Sequence, residues 1–119
     1  MLDHGIVVVA PEGYLTDMQG KEVEADLDRL NAQLQSLVGG GTTKVIIDCS
    51  RIKHINSAGL GTFITAHSGF CRIGGKMVFA AADARIKHIF ELTRLVLVFD
   101  FYETVNEAVA AISAPDKTT

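Results

Sequence analysis

Val45-Ile46-Ile47-Asp48-Cys49-Ser50, then Arg51-Ile52-Lys53-His54, then Ile55-Asn56-Ser57-Ala58-Gly59-Leu60-Gly61: the fold turns on this stretch. Lys44 to Asp48 is a short, nearly unbroken apolar run, the pattern of a strand covered on both faces. Cys49 to His54 is polar. Leu60, Phe63, Ile64, His67, Phe70 and Cys71 then recur at helical spacing until Gly74-Gly75. Lys76-Met77-Val78-Phe79-Ala80-Ala81 is a second buried strand. Strand, helix and strand in this order imply a parallel sheet with right-handed crossovers. In open sheets of this kind, sites form at the carboxyl ends of the strands. Asp48 to Gly61 is such a place, a strand end running through a loop to the start of a helix near Ser57.

The flanks extend the pattern. Ile6 to Ala10 is a β-branched run and reads as a strand. Pro11-Glu12-Gly13 is turn chemistry, and Tyr14-Leu15 begins a second short strand, so the pair is expected as a hairpin that makes the sheet mixed. Thr16 with Gln19 has capping-box spacing. Val23, Leu27, Leu30, Leu34 and Leu37 form one apolar helical stripe, stopped by Gly39-Gly40-Gly41. Beyond Ala81, Asp83 is placed to cap a helix with Ile86, Ile89, Phe90 and Thr93 inward. Val98 to Tyr102 reads as a last strand. Thr104 with Glu107 opens a closing helix with Val105, Ala108, Val109 and Ile112 inward. The expected fold is α/β with a parallel core, in the order β-β-α-β-α-β-α-β-α. It forms one domain over residues 1–112, followed by a loose tail, 113–119.

Composition narrows the function. With 119 residues, 48% hydrophobic and 21% charged, the chain fits one ordinary globular core. Eleven basic side chains against fourteen acidic give a net charge of −3, and the basic ones are scattered, so a phosphate-backbone footprint is absent and nucleic-acid binding is not expected. No apolar run approaches the ~20 residues of a membrane-spanning helix, so no membrane insertion is expected. The start of the chain lacks the basic stretch of a secretory signal. Two cysteines, Cys49 and Cys71, make neither a disulfide framework nor a CxxC pair, which fits a reducing cytoplasm. His4, His54, His67 and His88 are dispersed, so no metal is expected, and His67 on an apolar stripe reads as a partly buried, hydrogen-bonded side chain. Phe99, Phe101 and Tyr102 belong to the sheet.

Catalytic motifs fail on spacing. A nucleophile elbow around Ser57 needs glycine where Ile55 stands, and a dinucleotide fingerprint from Gly59 needs Gly or Ala where Ile64 stands. Gly39 to Lys44 lacks phosphate-loop spacing and precedes a strand. No cofactor and no enzymatic activity are expected. Ser57, at a helix N-terminus, has two readings: it caps the helix, or its hydroxyl accepts a phosphoryl group whose charge the helix end favours. Gly59 and Gly61 weaken a first helical turn. They serve either tight packing on the sheet or close approach by a partner. Asp48 either satisfies loop amides or shapes a pocket beside Ser57.

Val45 to Ser50 followed by Ile55 to Gly61 resembles the signature of STAS domains, the family of sulphate transporters and anti-sigma factor antagonists. Gly74 to Phe79 is similar to its fourth strand, Ile89 to Leu95 to its third helix and exit, and Thr104 to Val109 to its closing helix. The resemblance implies a domain without catalytic activity that binds an anti-sigma factor, itself a serine kinase. It also implies that phosphorylation of the serine matching Ser57 blocks that contact and that a serine phosphatase restores it. The expected partner face is Ile52, His54, Ile55, Asn56, Ser57, Ala58, Gly59, Leu60 and Gly61, with Thr16 from the neighbouring 13–17 turn. The chain departs from the family at two positions: Asn56 stands where Asp usually precedes the serine, and Thr16 stands where Asp often ends the second strand. The alternative within the family is a scaffold or accessory subunit of a stress-signalling complex or transporter, without phosphorylation. Oligomeric state is open, a homodimer included.

Overall fold

The computed structural model describes residues 5–16 and 21–113, with the backbone alone over residues 21–25. The strands are β1 (Ile6–Val9), β2 (Gly13–Leu15), β3 (Lys44–Asp48), β4 (Ile52–Ile55), β5 (Lys76–Ala80) and β6 (Phe101–Tyr102). The helices are α1 (Lys21–Gly39), α2 (Ser57–Arg72), α3 (Ala84–Leu92) and α4 (Val105–Ser113). One sheet has the order β1-β3-β5-β6, and every pairing in it is parallel.

The unbroken apolar runs are explained by layers on both faces. Val45, Ile47, Met77 and Phe79 point to the side covered by α1, α2 and α3, while Ile46, Val78 and Ala80 meet Ala108 and Ile112 of α4. Alternate side chains of one strand enter opposite cores, so neither set needs to be polar. Val45, Ile46 and Ile47 are each fully buried, which stabilises the fold by about 1.5–3 kcal/mol per side chain. Asp83 caps α3 as expected, its Oδ1 accepting from Ile86 N–H at 3.0 Å or less (2.9 Å). Thr104 Oγ1 accepts from Glu107 N–H at 3.0 Å at the start of α4.

The expected N-terminal hairpin does not form. β1 pairs in parallel with β3, Val7 opposite Val45, whereas β2 leaves for a separate two-strand sheet, parallel to β4 with Tyr14 opposite His54. Gly13 makes this possible. Its φ of +86° turns the chain away, its N–H donates to Arg51 O at 3.1 Å, and the next N–H, of Tyr14, donates to Asp26 Oδ2 at 3.0 Å. Those partners come from β4's approach and from α1, so Pro11-Glu12-Gly13 is a crossing between sheets.

β4 itself lies in the stretch expected to be an irregular polar crossing. Its ends, Ile52 and Ile55, are buried and its middle, Lys53 and His54, is exposed. That four-residue pattern lacks the alternation by which strands are recognised. The last strand is also shorter than expected. Arg94 adopts a left-handed conformation (φ +64°), a single 3-10 turn occupies Leu95–Leu97, and only Phe101–Tyr102 joins the sheet. Leu97 and Val98 stay 79% and 55% exposed, so their apolar character does not mark a strand here. α4 runs through Ser113; Gln19 of the proposed capping box, His4 and residues 114–119 of the expected tail lie outside the described residues.

Candidate functional site

The segment after β4 gives the capping role to the residue before Ser57. Asn56, in extended conformation, is the N-cap of α2: its Oδ1 accepts from Ala58 N–H at 3.0 Å and its carbonyl accepts from Leu60 N–H at 3.0 Å. Ser57 is therefore the first helical residue. The cap is made without its hydroxyl, and the residue is exposed. Asn56 N–H is tied to Leu15 O at 3.3 Å, which fixes the helix start against β2. No acidic side chain stands in the first turn. The end of the helix therefore offers the positive pole of its dipole with no carboxylate in its own first turn to neutralise it.

The expected partner face divides into two sets. His54 and Ser57 are exposed, and Asn56, Ala58 and Gly61 are half-buried. Ile52, Ile55, Gly59 and Leu60 are buried, at 4% exposure or less for the two isoleucines, so they set the shape of the site mainly from beneath. Thr16 is also displaced from that face: it is fully buried, and its Oγ1 has no hydrogen-bond partner. The turn that places Leu15 against α2 rotates Thr16 inward. What β2 contributes to the surface is Tyr14, 45% exposed and opposite His54 across the β2–β4 pair. The Tyr14–His54 pairing escaped sequence reasoning because β4 did, and the two residues lie forty positions apart.

Gly59 has the packing role. A methyl group there would collide with the Leu15 carbonyl oxygen and lie 2.7 Å from Ile55 Cγ1 and 3.0 Å from Leu15 Cβ. Gly61 has nothing within 4 Å of the same position. Packing therefore explains one of the two glycines and leaves the other without an internal reason.

Asp48 takes the first of its two readings, with Oδ1 accepting from Ser50 N–H at 3.0 Å. Neither Asp48 nor Ser57 lines the cleft bounded by Glu12, Arg51 and Asp83. His67 sits edge-on to Phe99 at 5.0 Å, with Cys71 Sγ 3.8 Å from Nε2. Among the described residues no three His, Cys, Asp or Glu side chains converge as metal ligands, and no helix is long and apolar enough to cross a membrane.

Cys49 is buried beside Asp48 at the end of β3. Burial, and secondarily the Asp48 charge, push its thiol up to about 12. The folded state holds this proton while an unfolded thiol loses it near pH 8.5, so stability falls as the pH rises from about 9 toward 12. At pH 8, iodoacetamide is expected to label Cys71 in the native protein and Cys49 only after guanidinium unfolding, as read by peptide mass mapping; native labelling of Cys49 would contradict its burial.

Comparison with known proteins agrees with the fold. The sequence model of the STAS domain matches residues 3–108. The chain is 26% identical over 94 residues to BtrV of Bordetella bronchiseptica, named as a candidate anti-sigma factor antagonist, covering 79% of this chain and 81% of BtrV. Among solved structures, the candidate anti-sigma factor antagonist TM1081 of Thermotoga maritima superposes with a TM-score of 0.83 at 16% identity, covering 96% and 92% of the two chains. SpoIIAA, a Bacillus cell-fate determinant solved in its phosphorylated form, superposes at 0.68 with 15% identity and coverage of 94% and 95%. At such identities the superpositions show a shared fold.

Proposed function

The chain belongs to the STAS domain family, resembling its anti-sigma factor antagonists, and from that premise we propose that it binds an anti-sigma factor with serine kinase activity through the surface around Ser57 and is released by phosphorylation of Ser57. The surface consists of Tyr14, His54, Asn56, Ser57, Ala58 and Gly61. The observation that carries this reading is the exposed Ser57 hydroxyl at the first position of α2, excluded from the cap by Asn56, in a first turn without acidic side chains.

A phosphoryl group added there brings a charge of about −1.5 to −2. The helix end stabilises that charge within the free protein, so modification leaves the fold intact. In a docked complex the same charge would be desolvated against a surface shaped for a neutral hydroxyl, which weakens binding. Asn56 keeps the capping bond that an aspartate would make and removes one negative charge next to the acceptor hydroxyl. The kinase then needs no strongly basic subsite at the preceding position. A cytoplasmic location and a serine phosphatase that reverses the step belong to the same proposal.

The test is incubation with the cognate anti-sigma factor and ATP, followed by mass spectrometry, beside calorimetric binding of two variants. Phosphate is expected on Ser57 alone. Ser57→Ala should abolish incorporation while retaining binding, and Ser57→Glu should weaken binding by about 100-fold, the scale of an uncompensated charge in an interface. Phosphate on another residue, or equal binding by Ser57→Glu, would refute the assignment. Absence of binding by the wild-type chain would favour the scaffold or accessory role.

A further inference from the structure

A cleft among the described residues, which Ser57 does not line, opens at the carboxyl ends of β1, β3 and β5. It has a volume of about 640 Å³ and is bounded by Glu12 and Gly13 after β1, Ser50 to Lys53 after β3, Asp83 and Arg85 after β5, and Asp26 and Arg29 of α1. A crevice at this end of a parallel sheet is where such folds place their ligands, and the volume is that of a small-molecule site.

Its charges are not symmetric in what they still have to offer. The three carboxylates are engaged within the protein. Asp26 accepts from Tyr14 N–H and from Arg29, Asp83 caps α3, and Glu12 accepts from Arg51 at 3.1 Å. Each arginine meets its carboxylate through a single guanidinium nitrogen: Arg29 Nη1 to Asp26 at 3.2 Å, Arg51 Nη1 to Glu12 at 3.1 Å, Arg85 Nη2 to Asp83 at 3.8 Å. A guanidinium has five donors, so most remain available. Lys53 has no carboxylate within ion-pair distance among the described residues, and its carbonyl is held by Arg85 Nη1. The four cations therefore face the cleft with spare donors, while the acceptors are largely committed. These exposed pairs are weak, so an incoming anion can draw the cations inward.

The lining also limits what the anion can be. Among the described residues, Ile52 is the one large apolar side chain along it, and no aromatic ring lines it. A nucleobase or acyl chain would find no surface to stack on. We infer that this cleft binds a compact, soluble polyanion, an oligophosphate or polycarboxylate, through Arg51, Lys53, Arg85 and Arg29. The inference is independent of Ser57 and stands or falls apart from the partner reading.

The experiment is an NMR titration of the full chain with pyrophosphate, and in parallel arms citrate, inorganic triphosphate and ATP. Saturable shifts are expected at the amides of residues 12–13, 50–53 and 83–85. Arg51→Gln/Lys53→Gln should weaken pyrophosphate binding about tenfold or more, given two charge-assisted contacts removed. Arg72→Gln, at the C-terminal end of α2, should change it by less than about twofold, because Arg72 does not line the cleft. Arg51→Gln alone serves if the double variant loses its native spectrum. Citrate binding at the same amides would place polycarboxylates in the ligand class, and its failure beside saturable pyrophosphate binding would assign the cleft to oligophosphates. Shifts spread over the whole surface, equal weakening by Arg72→Gln, or no saturable binding by either anion would overturn the site. ATP binding at least tenfold tighter than triphosphate would overturn the compact-anion assignment by revealing recognition of a base.

Discussion

Phe79→Ala is expected to destabilise the protein by about 3–5 kcal/mol, the range for deleting a large aromatic side chain from a close-packed core. Phe79 is fully buried on β5, and four rings converge on it: Phe63 of α2 at 5.0 Å, Phe90 of α3 at 5.2 Å, Phe99 at 4.9 Å and Phe101 of β6 at 5.1 Å. The Phe63 contact is edge-on (83°) and the Phe101 contact is stacked (20°), both favourable arrangements worth something beyond area burial. Truncation removes the ring that these four share, and none of them can fill the space without leaving the others. Urea denaturation gives the free energy directly, and the melting temperature should fall by about 15 °C. A loss below about 1.5 kcal/mol would mean that the cluster relaxes independently of Phe79. Because Phe63 lies on the same helix as Ser57, the variant should also bind the partner less well at temperatures where the wild type is fully folded. Ser57→Ala, which touches no ring, should not reproduce that temperature dependence.

The parts of this fold that were legible in the sequence are those whose pattern is local. Val45-Ile46-Ile47 and Met77-Val78-Phe79 announce strands buried on both faces, and Leu60, Phe63, Phe70 repeat with the helix. Asp83 signals a helix start within three residues of its own partner. What was not legible depends on pairing over distance. Whether β2 turns back on β1 or crosses to β4 is decided by Arg51 O and the Asp26 carboxylate capturing two successive amides. Nothing within Pro11-Glu12-Gly13 encodes that choice. β4 is hidden because Lys53 and His54 both face solvent, and at four residues its pattern is too short to reveal a period.

The site shows the same division. Its location, at a strand's carboxyl side and a helix N-terminus, followed from element order, and so did the exposure of Ser57. The exchange of roles between Asn56 and Ser57 is a shift of one residue in where the helix begins, and helix ends are the least determined by periodicity. Thr16 shows how far a single rotation matters. On a surface turn its hydroxyl would face a partner, but here it is sealed in the core with no hydrogen-bond partner. Such an unmet group costs about 1–3 kcal/mol, and the resemblance to families with aspartate there gave no warning of its burial.

Gly59→Ala and Gly61→Ala are expected to act in opposite directions, although the two residues are separated by a single leucine. The methyl group of Gly59→Ala would meet the Leu15 carbonyl and Ile55 Cγ1, the latter at 2.7 Å, and the first of these is backbone in a paired strand. Strand β2 or helix α2 must shift, and overpacking of this kind costs about 1–3 kcal/mol, of which the better helix propensity of alanine returns up to about 1. A net loss of about 1–2 kcal/mol is expected by urea denaturation. Gly61→Ala meets open space, so only the propensity gain applies, and the protein should be stabilised by about 0.5–1 kcal/mol. Gly61 lies four residues after Ser57 and so shares its helical face. A glycine that lowers helix stability on the proposed contact surface, with no internal neighbour to require it, makes sense as a point of close approach by the partner's backbone. Gly61→Ala should then weaken anti-sigma factor binding by about tenfold, as overpacking at an interface does, in a protein more stable than the wild type. Unchanged affinity for Gly61→Ala would move the interface off this face of α2, whatever the fate of Ser57.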